Sequence, residues 1–369
     1  MTKTDVKNKL RALFSPFFVV SLVILSFGLT VRTVASVSAP FADFWQDRIA
    51  SVPRTVLAAI TNVLPFSLAE FIIICLPLLM AVLIFVASRG RTETWTATFR
   101  YTFNLLGAAV LIFSLLLINF SAGYYTTPLD RRIGAERKNV SAEELYDTAV
   151  ILLDGVKENI DTVEFVYGGS SVMPYDLKTM NGKLNDAYGL AREKYGFIPA
   201  MRSEPKPVVL SEPWTYTHIA GVYTFFTGEA NININFPDYT IPYTAAHEMA
   251  HQRGIAREDE ANFMAFLVCM QSDDPYVRYS AYASTYEYVA SALYSADKDL
   301  YRELYYNEVP QLLKNEMTSY NEFFEKYREN AAASVSEKVN DEFLKMHDQQ
   351  AGTRSYGLVV DLLVAYYKK

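Results

Sequence analysis

The stretch TAAHEMAHQRGIAREDEANF, residues 244–263, decides how the rest of the chain is interpreted. It holds His247 and His251, with Glu248 directly after the first histidine. Residues four positions apart lie on the same face of a helix, so both imidazoles can reach one ion. A proline upstream of them and a glycine downstream are typical of the start and the end of a helix. The stretch therefore predicts a helix that carries a metal site.

These three residues match the chemistry of a zinc-dependent hydrolase. Zinc binds imidazole nitrogen, and a catalytic zinc keeps three protein ligands and one open position. Glu248 flanks the histidine face, where it can take a proton from water and pass it to a leaving amine. This H-E-x-x-H arrangement is typical of metallopeptidases. The alternative is a charged helix with two surface histidines, but the side that the histidines share with neighbouring alanines is small and apolar.

The third ligand is expected from the segment that follows. Gly254 lets the chain reverse, and AREDEANFMAFLVCM (256–270) predicts a second helix with acidic residues in its first turn. Glu258 and Asn262 share a face of that helix, which suits a ligand carboxylate and an amide that orients a zinc histidine. Glu260 points to roughly the opposite side and is the alternative ligand. The simplest alternative is that these acids only stabilise the start of the helix.

The sequence HEMAH followed by EDEAN resembles the gluzincin metallopeptidases, in which an H-E-x-x-H helix precedes E-x-x-x-D on a second helix. The resemblance implies two zinc-binding histidines, a general base and a third ligand: His247, His251, Glu248 and Glu258. The chain departs from the pattern at Asn262, where that family usually has Asp. The gap from His251 to Glu258 is also short for gluzincins. It is nearer the metzincin spacing, which would place a ligand at Arg257, a residue that does not bind metal.

The chain as a whole is similar to a bacterial family catalogued as domain of unknown function 3810. Three segments carry this similarity: PFSLAE (65–70), GVYTFFTGEANIN (221–233) together with AAHEMAHQRG (245–254), and SYGLVVDLL (355–363). The similarity extends over nearly the full length of the chain. It implies a membrane protein but no substrate.

A short strand precedes the predicted metal helix. EANININ (229–235) alternates strictly, with Ala230, Ile232 and Ile234 on one face and three asparagines on the other. In zincins generally, a strand in this place forms the edge of the sheet and pairs with extended substrate. The expected substrate edge is therefore marked by Asn231, Asn233 and Asn235. The alternative is a buried strand with no role in binding.

Three apolar stretches in the first third are long enough to cross a bilayer as helices, at 13–34, 66–87 and 101–122. The alternatives are buried core helices and, for the first stretch, a signal peptide. Basic residues precede the first stretch and lie between the second and third, which places both regions in the cytoplasm. Everything after Tyr124 is then extracytoplasmic, although the basic residues in 131–138 oppose this orientation.

The chain divides into two predicted domains. Residues 1–124 form a membrane domain with three transmembrane helices, and residues 125–369 form an extracytoplasmic zincin-like domain. In the second domain, helices precede a small sheet and many helices follow it, so we expect an α+β fold that is mostly helical. The net charge of −7 argues against nucleic acid as a partner. The expected location is the cytoplasmic membrane of a bacterium, as a multi-pass protein in the lipid bilayer.

The first functional hypothesis is a membrane-anchored peptidase that uses Zn²⁺ and cleaves a peptide or protein substrate outside the cytoplasm. The alternatives are a non-catalytic sensor or scaffold that binds peptide or envelope material, and an accessory protein with a structural metal. Glu248 favours the enzyme, because a binding module needs no base beside the metal. Four residues are equally good candidates for stabilising the oxyanion: His218, Tyr282, Arg354 and Tyr356. His347 lies in a charged helix and is expected to be solvated.

Overall fold

Three long helices carry the apolar stretches of the first third. The computed structural model describes residues 14–89, 95–135, 137–166, 169–328, 330–349, 352 and 358–368. The long helices are α1 (Pro16–Val37), α4 (Leu68–Arg89) and α5 (Trp95–Asn119). By length and composition, two helical segments could cross a membrane, Pro16–Val37 and Thr98–Asn119, whereas the comparable apolar segment of α4 is the shorter Leu68–Val82. Two of the three predicted spans are thus compatible with a membrane anchor, and the third stays a prediction.

Helices α1 and α5 pack against each other through glycine. Gly28 of α1 lies so close to α5 that an added Cβ would be 3.0 Å from Leu117 Cβ. A Cβ added at Gly107 of α5 would likewise be 3.1 Å from Phe17 Cε1 of α1. Small residues at such crossings let apolar helices pack closely. Their outer faces remain apolar and exposed, with Val23 at 64% exposure.

Short helical segments connect the apolar helices to the polar part of the chain. They are α2 (Ala39–Phe44), a π-helical segment (Trp45–Ala50), α3 (Ser51–Thr61), a 3₁₀ turn (Ser121–Tyr125) and α6 (Leu129–Ile133). Acidic side chains fix these connections. Glu229 accepts hydrogen bonds from the first backbone N–H groups of α4, at 2.9 Å each, and Glu70 of α4 accepts bonds from the N–H groups of Val209 and Leu210. The start of α4 is therefore anchored to the polar domain.

The polar domain is mostly helical. Its helices are α7 (Ala142–Ile160), α8 (Leu177–Tyr195), α9 (Ser211–Thr215), α10 (Thr240–Gln252), α11 (Glu258–Cys269), α12 (Pro275–Ala296), α13 (Lys298–Asn307), α14 (Gln311–Glu325), α15 (Ala331–Met346) and α16 (Val359–Tyr367). The capping box expected at Ser141 and Glu144 is present at the start of α7. Helix α11 lies in the centre of the core, because every one of its residues is buried. It packs on α8, α10, α12 and α16.

The sheet has three short strands, β1 (Lys206–Pro207), β2 (Gly221–Thr224) and β3 (Glu229–Ile232). Their order is β1-β3-β2, with β3 parallel to β1 and antiparallel to β2. The predicted substrate edge is therefore corrected, since β3 lies in the middle of the sheet and pairs on both sides. Asn231 lies in β3, whereas Asn233 and Asn235 follow it. The mostly helical architecture with a small sheet is as expected.

Candidate metal centre

Two helices and a tight turn bring the candidate ligands together. Helix α10 carries His247 and His251, and α11 begins with Glu258. Between the helices, Gly254 has φ +98°, a conformation that side chains rarely adopt. An added Cβ at Gly254 would also be 2.5 Å from guanidinium and amide nitrogens of Arg54 and Gln46. Glycine is thus required for the reversal that places the carboxylate opposite the imidazoles.

The distances in this group are those that a tetrahedral ion imposes. Glu258 Oε2 is 3.3 Å from His247 Nε2 and 3.3 Å from His251 Nε2. All three candidate ligand atoms lie within 4.8 Å of one another. Ligands about 2.0–2.1 Å from a tetrahedral zinc are roughly 3.3–3.4 Å apart, so the observed edges match that geometry. The donor set of two imidazoles and one carboxylate also suits zinc.

Both Nε2 atoms face Glu258 Oε2, and an ion bound by all three groups would replace the contacts between them. His251 Nδ1 lies 2.7 Å from the carbonyl oxygen of Ile255, so it carries the proton and donates it there. Among the described residues, His247 Nδ1 has no hydrogen-bond partner. Burial alone disfavours charge at Glu258, but the two imidazoles hold its pKa well below the usual range. Burial likewise opposes a proton on His251, yet Glu258 raises the His251 pKa to about 9. The site therefore attracts a cation.

Glu248 lies beside this group and interacts electrostatically with both histidines. Its side chain is buried and lies against β2, where an added Cβ at Gly221 would be 2.6 Å from Glu248 Oε1. The backbone N–H of Tyr223 donates to the same carboxylate. Glu248 Oε2 has no hydrogen-bond partner among the described residues. Burial raises the pKa of Glu248, although the nearby histidines oppose the rise. A carboxylate with a raised pKa and one free oxygen is suited to accepting a proton.

The other acids of α11 have different partners. Glu260 Oε1 accepts hydrogen bonds from the backbone N–H of Leu129 at 2.9 Å and from Arg257 at 2.6 Å. Asp259 pairs with Arg137 at 2.5 Å. Both side chains tie α11 to the segment that follows the apolar helices. The structure therefore brings Glu258, and not Glu260, into the histidine group.

The expected support of a histidine by Asn262 is not present. The ring nitrogen of His251 that it could support is bonded to a backbone carbonyl, and that of His247 is unpartnered. The Asn262 side chain instead bonds the phenol of Tyr288. The prediction is corrected because α11 directs this amide towards α12, across the cleft from α10. Asn262 still lines the same cavity as His247.

A cavity of roughly 910 Å³ opens at the group. Its walls come from α10, from α12, from α15 and from the segment 217–221 before and within β2. Among the described residues that line it are Ala220, Gly221, Tyr239, Tyr243, His247, Glu248, Asn262, Ser284, Glu287, Tyr288, Ser291, Ser295 and Asn340. Ligand sites commonly measure about 300–1,000 Å³. The cavity lies near the upper end of that range and is large enough to hold several residues of an extended peptide.

The structure describes two of the four candidate oxyanion donors, His218 and Tyr282. His218 lines the cavity, but its Nε2 lies 2.6 Å from the carbonyl oxygen of Tyr327. Tyr282 packs against Gly155 and Phe266, away from the cavity. Arg354 and Tyr356 lie outside the described residues.

The prediction that His347 is solvated is wrong. Its side chain is buried, and its ring stacks on the ring of Tyr124 with the centroids 4.6 Å apart.

Sequence reasoning missed the wall of the cavity that α12 forms. Tyr288 lines the cavity with His247 and Glu248, and it interacts electrostatically with Glu258. Burial, with a contribution from nearby acids, raises its pKa to about 12, so its phenol stays protonated and can donate. A signal was present in the sequence. The residues of α12 that line the cavity follow the i, i+3, i+4, i+7 spacing of one helix face: Ser284, Glu287, Tyr288, Ser291, Ala292 and Ser295.

Residues near the apolar helices close the back of the group. Phe120, just after α5, packs edge-on against the His251 ring with centroids 5.9 Å apart. Gln46 Nε2 donates to the carbonyl oxygen of Gly254 at 2.8 Å. Arg54 is fully buried and donates to the carbonyl oxygens of Asn119 at 2.7 Å and Gln46 at 3.0 Å, with Arg253 at 3.4 Å. The turn after α10 is thus held by residues from both parts of the chain.

Comparison with known proteins gives a family but no activity. No curated protein matches the chain, and no solved structure does. A family model described as "Protein of unknown function (DUF3810)" matches residues 46–364, which include α3, α4, α5 and nearly all of the polar domain. The matched segment contains every residue of the candidate metal centre. The chain therefore belongs to the DUF3810 family.

Proposed function

We propose that the protein is a membrane-anchored, zinc-dependent peptidase with a zincin-like catalytic domain. One observation carries the proposal: two imidazole Nε2 atoms each lie 3.3 Å from one carboxylate oxygen of Glu258, with all three ligand atoms within 4.8 Å of one another, beside a buried glutamate with a free oxygen. A structural metal site needs no such base, and structural zinc sites usually use four protein ligands. Here His247, His251 and Glu258 supply three, and the cavity lies open beside them.

The residues divide the chemistry of peptide hydrolysis between them. Bound zinc would polarise the scissile carbonyl and lower the pKa of a water molecule. Glu248 takes a proton from the attacking water and passes it to the leaving amine. Tyr288, protonated and facing the same cavity, donates a hydrogen bond to the oxyanion that develops on the substrate. His251 is held in the ligand orientation by its bond to the Ile255 carbonyl.

Strand β2 supplies the substrate edge in place of β3. Asn233 N–H bonds the carbonyl oxygen of Ala220 at 2.8 Å, so Ala220 and Val222 direct their backbone groups towards β3. The alternation leaves the N–H and C=O of Gly221 facing the other edge, which no described strand covers. Gly221 also lies against Glu248 and lines the cavity. An extended peptide can pair there with its scissile bond next to the base.

The anchor rests on the apolar faces that the long helices expose. Side chains on α1, α4 and α5 are exposed at levels that would be unfavourable in water, including Val23 at 64%, Leu78 at 68% and Ile112 at 50%. A lipid bilayer removes this cost, because acyl chains solvate such surfaces. The basic residues before the first span and between the second and third spans favour an extracytoplasmic catalytic domain in a bacterial cytoplasmic membrane.

The test uses the full-length chain in detergent. Zinc content and cleavage of a peptide library are compared for wild type, Glu248→Gln, His247→Ala and the exposed control Glu212→Gln. We expect Glu248→Gln to keep zinc and lose cleavage by at least about 100-fold, the usual scale for a general base. His247→Ala should lose both, and Glu212→Gln neither. Fully zinc-loaded wild type that cleaves no peptide would refute the peptidase and favour a sensor or scaffold that binds peptide without cleaving it.

A further inference from the structure

We propose that Glu287 selects substrates by charge, so that the cavity takes a peptide with an ammonium or guanidinium group a few residues from the cleaved bond. This inference rests on the proposed peptidase function and names its substrate class. Glu287 lies on α12 next to Tyr288 and lines the cavity that opens at His247 and Glu248. The group that it recognises is a cation, and two sources of that cation are distinguished below.

The position of Glu287 is fixed by one neutral donor. Tyr239, at the start of α10, donates its hydroxyl hydrogen to Glu287 Oε1 at 2.6 Å. No lysine or arginine within the described residues pairs with Glu287. Burial raises the pKa of Glu287 to about 7, and nearby Glu316 contributes to the rise. Such a carboxylate gains most from a positive partner, because a cation would offset the cost of its buried charge.

Glu287, which is half-buried, differs in this respect from the buried acids of the domain. Glu260 is paired with Arg257 and Asp259 with Arg137, and Glu258 faces two imidazoles. Glu316 accepts from the backbone N–H of Ser171 at 2.8 Å and from two hydroxyl groups. These acids are used inside the protein. Glu287 instead has its carboxylate beside open space.

A role for Glu287 in capping α10 does not account for its placement. The first N–H groups of α10 are already satisfied: Thr240 bonds the Pro237 carbonyl at 2.9 Å and Ile241 bonds the Asp238 carbonyl at 3.1 Å. The next residue is a proline, which has no N–H, and the N–H of Tyr243 bonds Ser280 Oγ at 3.1 Å. The carboxylate therefore faces the cavity without serving the helix.

The charge of the whole wall points the same way. The described residues that line the cavity include three glutamates, Glu248, Glu287 and Glu337, and neither lysine nor arginine. The candidate ligands His247, His251 and Glu258 would hold a zinc ion beside the cavity, and Glu258 would partly neutralise its charge. Away from the ion, the potential in the cavity is therefore negative, and it favours cationic groups over anionic ones.

Helix α10 and the residue before it set the length scale between the Glu287 carboxylate, which Tyr239 bonds, and the group at His247. Tyr239 precedes His247 by eight positions in the sequence, which is about 12 Å along a helix. An extended peptide advances roughly 3.3 Å per residue, so the recognised group lies about three to four backbone positions from the bond. A long lysine or arginine side chain reaches across part of that distance. A free amino terminus at that position offers the same chemistry.

The experiment compares matched peptides on the zinc-loaded, full-length chain. One peptide that wild type cleaves is varied at each of four positions on both sides of the bond, with Lys, Arg, Gln or Glu. Each peptide is made with a free and with an acetylated amino terminus. We expect one position at which Lys or Arg raises kcat/KM about 10- to 100-fold over Gln, the scale of a charged hydrogen bond. Loss of the preference on acetylation alone would assign the cation to the amino terminus.

Variants assign the effect to Glu287. Glu287→Gln should remove the preference while still cleaving the neutral peptide, and Glu287→Lys should favour Glu over Lys at the same position. Glu212→Gln, at the exposed surface, is the control and should keep the preference. A wild type that shows no charge preference at any position would overturn the inference, as would a preference that survives in Glu287→Gln.

A binding measurement separates this inference from the peptidase proposal. The same fluorescent peptides are titrated onto zinc-loaded Glu248→Gln protein, with and without the Glu287→Gln change. Tighter binding of the cationic peptide that depends on Glu287 supports charge selection even if wild type cleaves nothing. Equal binding of cationic and neutral peptides overturns charge selection whether or not cleavage occurs.

Discussion

Replacing Arg54 should destabilise the fold where the turn after α10 meets the end of the apolar helix α5. The guanidinium is fully buried, yet its partners are backbone carbonyls: those of Asn119 and Gln46, with Arg253 further away. Asn119 ends α5, and Arg253 directly follows α10. Both carbonyls lie at the negative ends of helices, which favour a cation. Burial lowers the pKa of Arg54 to about 10, so it remains charged at neutral pH.

The magnitude follows from the two shorter bonds. Hydrogen bonds of 2.7 and 3.0 Å to a charged donor contribute about 1.5–3 kcal/mol each, and we assign nothing to the contact at 3.4 Å. Arg54→Leu should therefore lower the free energy of unfolding by about 3–6 kcal/mol, because buried carbonyls are left without donors. Arg54→Lys keeps the charge but not the planar fork that reaches separate carbonyls, so it should lose about half as much.

Thermal unfolding of the full-length chain in detergent measures this effect. At about 2 °C per kcal/mol for a chain of this size, Arg54→Leu should lower Tm by about 6–12 °C. Arg48→Leu is the matched control, since Arg48 is exposed six residues away on the preceding segment, and it should change stability by under about 0.5 kcal/mol. An Arg54→Leu protein that unfolds at the same temperature as Arg48→Leu would show that the guanidinium does not hold the end of α5 against the segment that contains Gln46.

Three further changes test neighbouring parts of the structure. Glu229→Gln removes the charge that accepts from the Leu68 and Ala69 N–H groups at the start of α4, so it should cost about 1–2 kcal/mol in thermal unfolding; an unchanged Tm would contradict the capping role. Gly221→Ala places a Cβ 2.6 Å from Glu248 Oε1 and should reduce peptide cleavage at least about tenfold while zinc content, measured by mass spectrometry, stays at the wild-type level. The pKa of Glu287 is raised in the folded state to about 7, so the stability linked to its protonation is full below its unfolded pKa and is lost as pH rises through 7. Glu287→Gln should therefore be more stable than wild type at pH 8 by about 1–3 kcal/mol and nearly equal at pH 4.5, and equal Tm values at both pH values would count against a buried, unpaired charge.

The part of the site that the sequence predicted is the part that helix geometry fixes locally. A spacing of four residues sets His247 and His251 on one face, and the same rule separates Glu258 from Glu260 on the next helix. The fold class followed from the order of periodic segments. These inferences need only the chain within one or two elements, and the structure places the four side chains accordingly.

The part that the sequence did not predict depends on contacts between distant segments. Alternation in EANININ indicated a strand with one solvated face, but Asn231 and Asn233 are buried and bond other backbone and hydroxyl groups, and Asn235 is half-buried. Asn231 Nδ2 donates to the Val222 carbonyl at 3.2 Å, and Asn233 Nδ2 donates to Thr215 Oγ1 at 3.1 Å. In the sequence, a polar face whose side chains are hydrogen-bonded inside the protein has the same pattern as a solvent-exposed face. Sheet order depends on such pairings, so the edge was assigned to the wrong strand.

The same reasoning explains the missed tyrosine and the misplaced histidine. Tyr288 reaches the cavity from α12, more than 35 residues after the histidines, and no local pattern connects the two helices. His347 lies in a charged helix, but its environment is set by Tyr124, which stacks on it at 4.6 Å from far along the chain. Non-local packing of this kind decides which aromatic residue becomes functional.

The candidate metal centre is built from both sides of the boundary predicted at residue 124. Phe120 packs on the His251 ring, and Tyr124, whose pKa burial raises with help from Glu258, lies next to the carboxylate ligand. Gln46 and Arg54 hold the backbone where α10 ends. The residues that orient the ligands are therefore contributed by the connecting helices as well as by the polar domain. This agrees with a family match that begins at residue 46 instead of after the last apolar helix. Phe120 directly follows α5 and packs on the His251 ring. A displacement of α5 would therefore move the His251 ring through this aromatic contact.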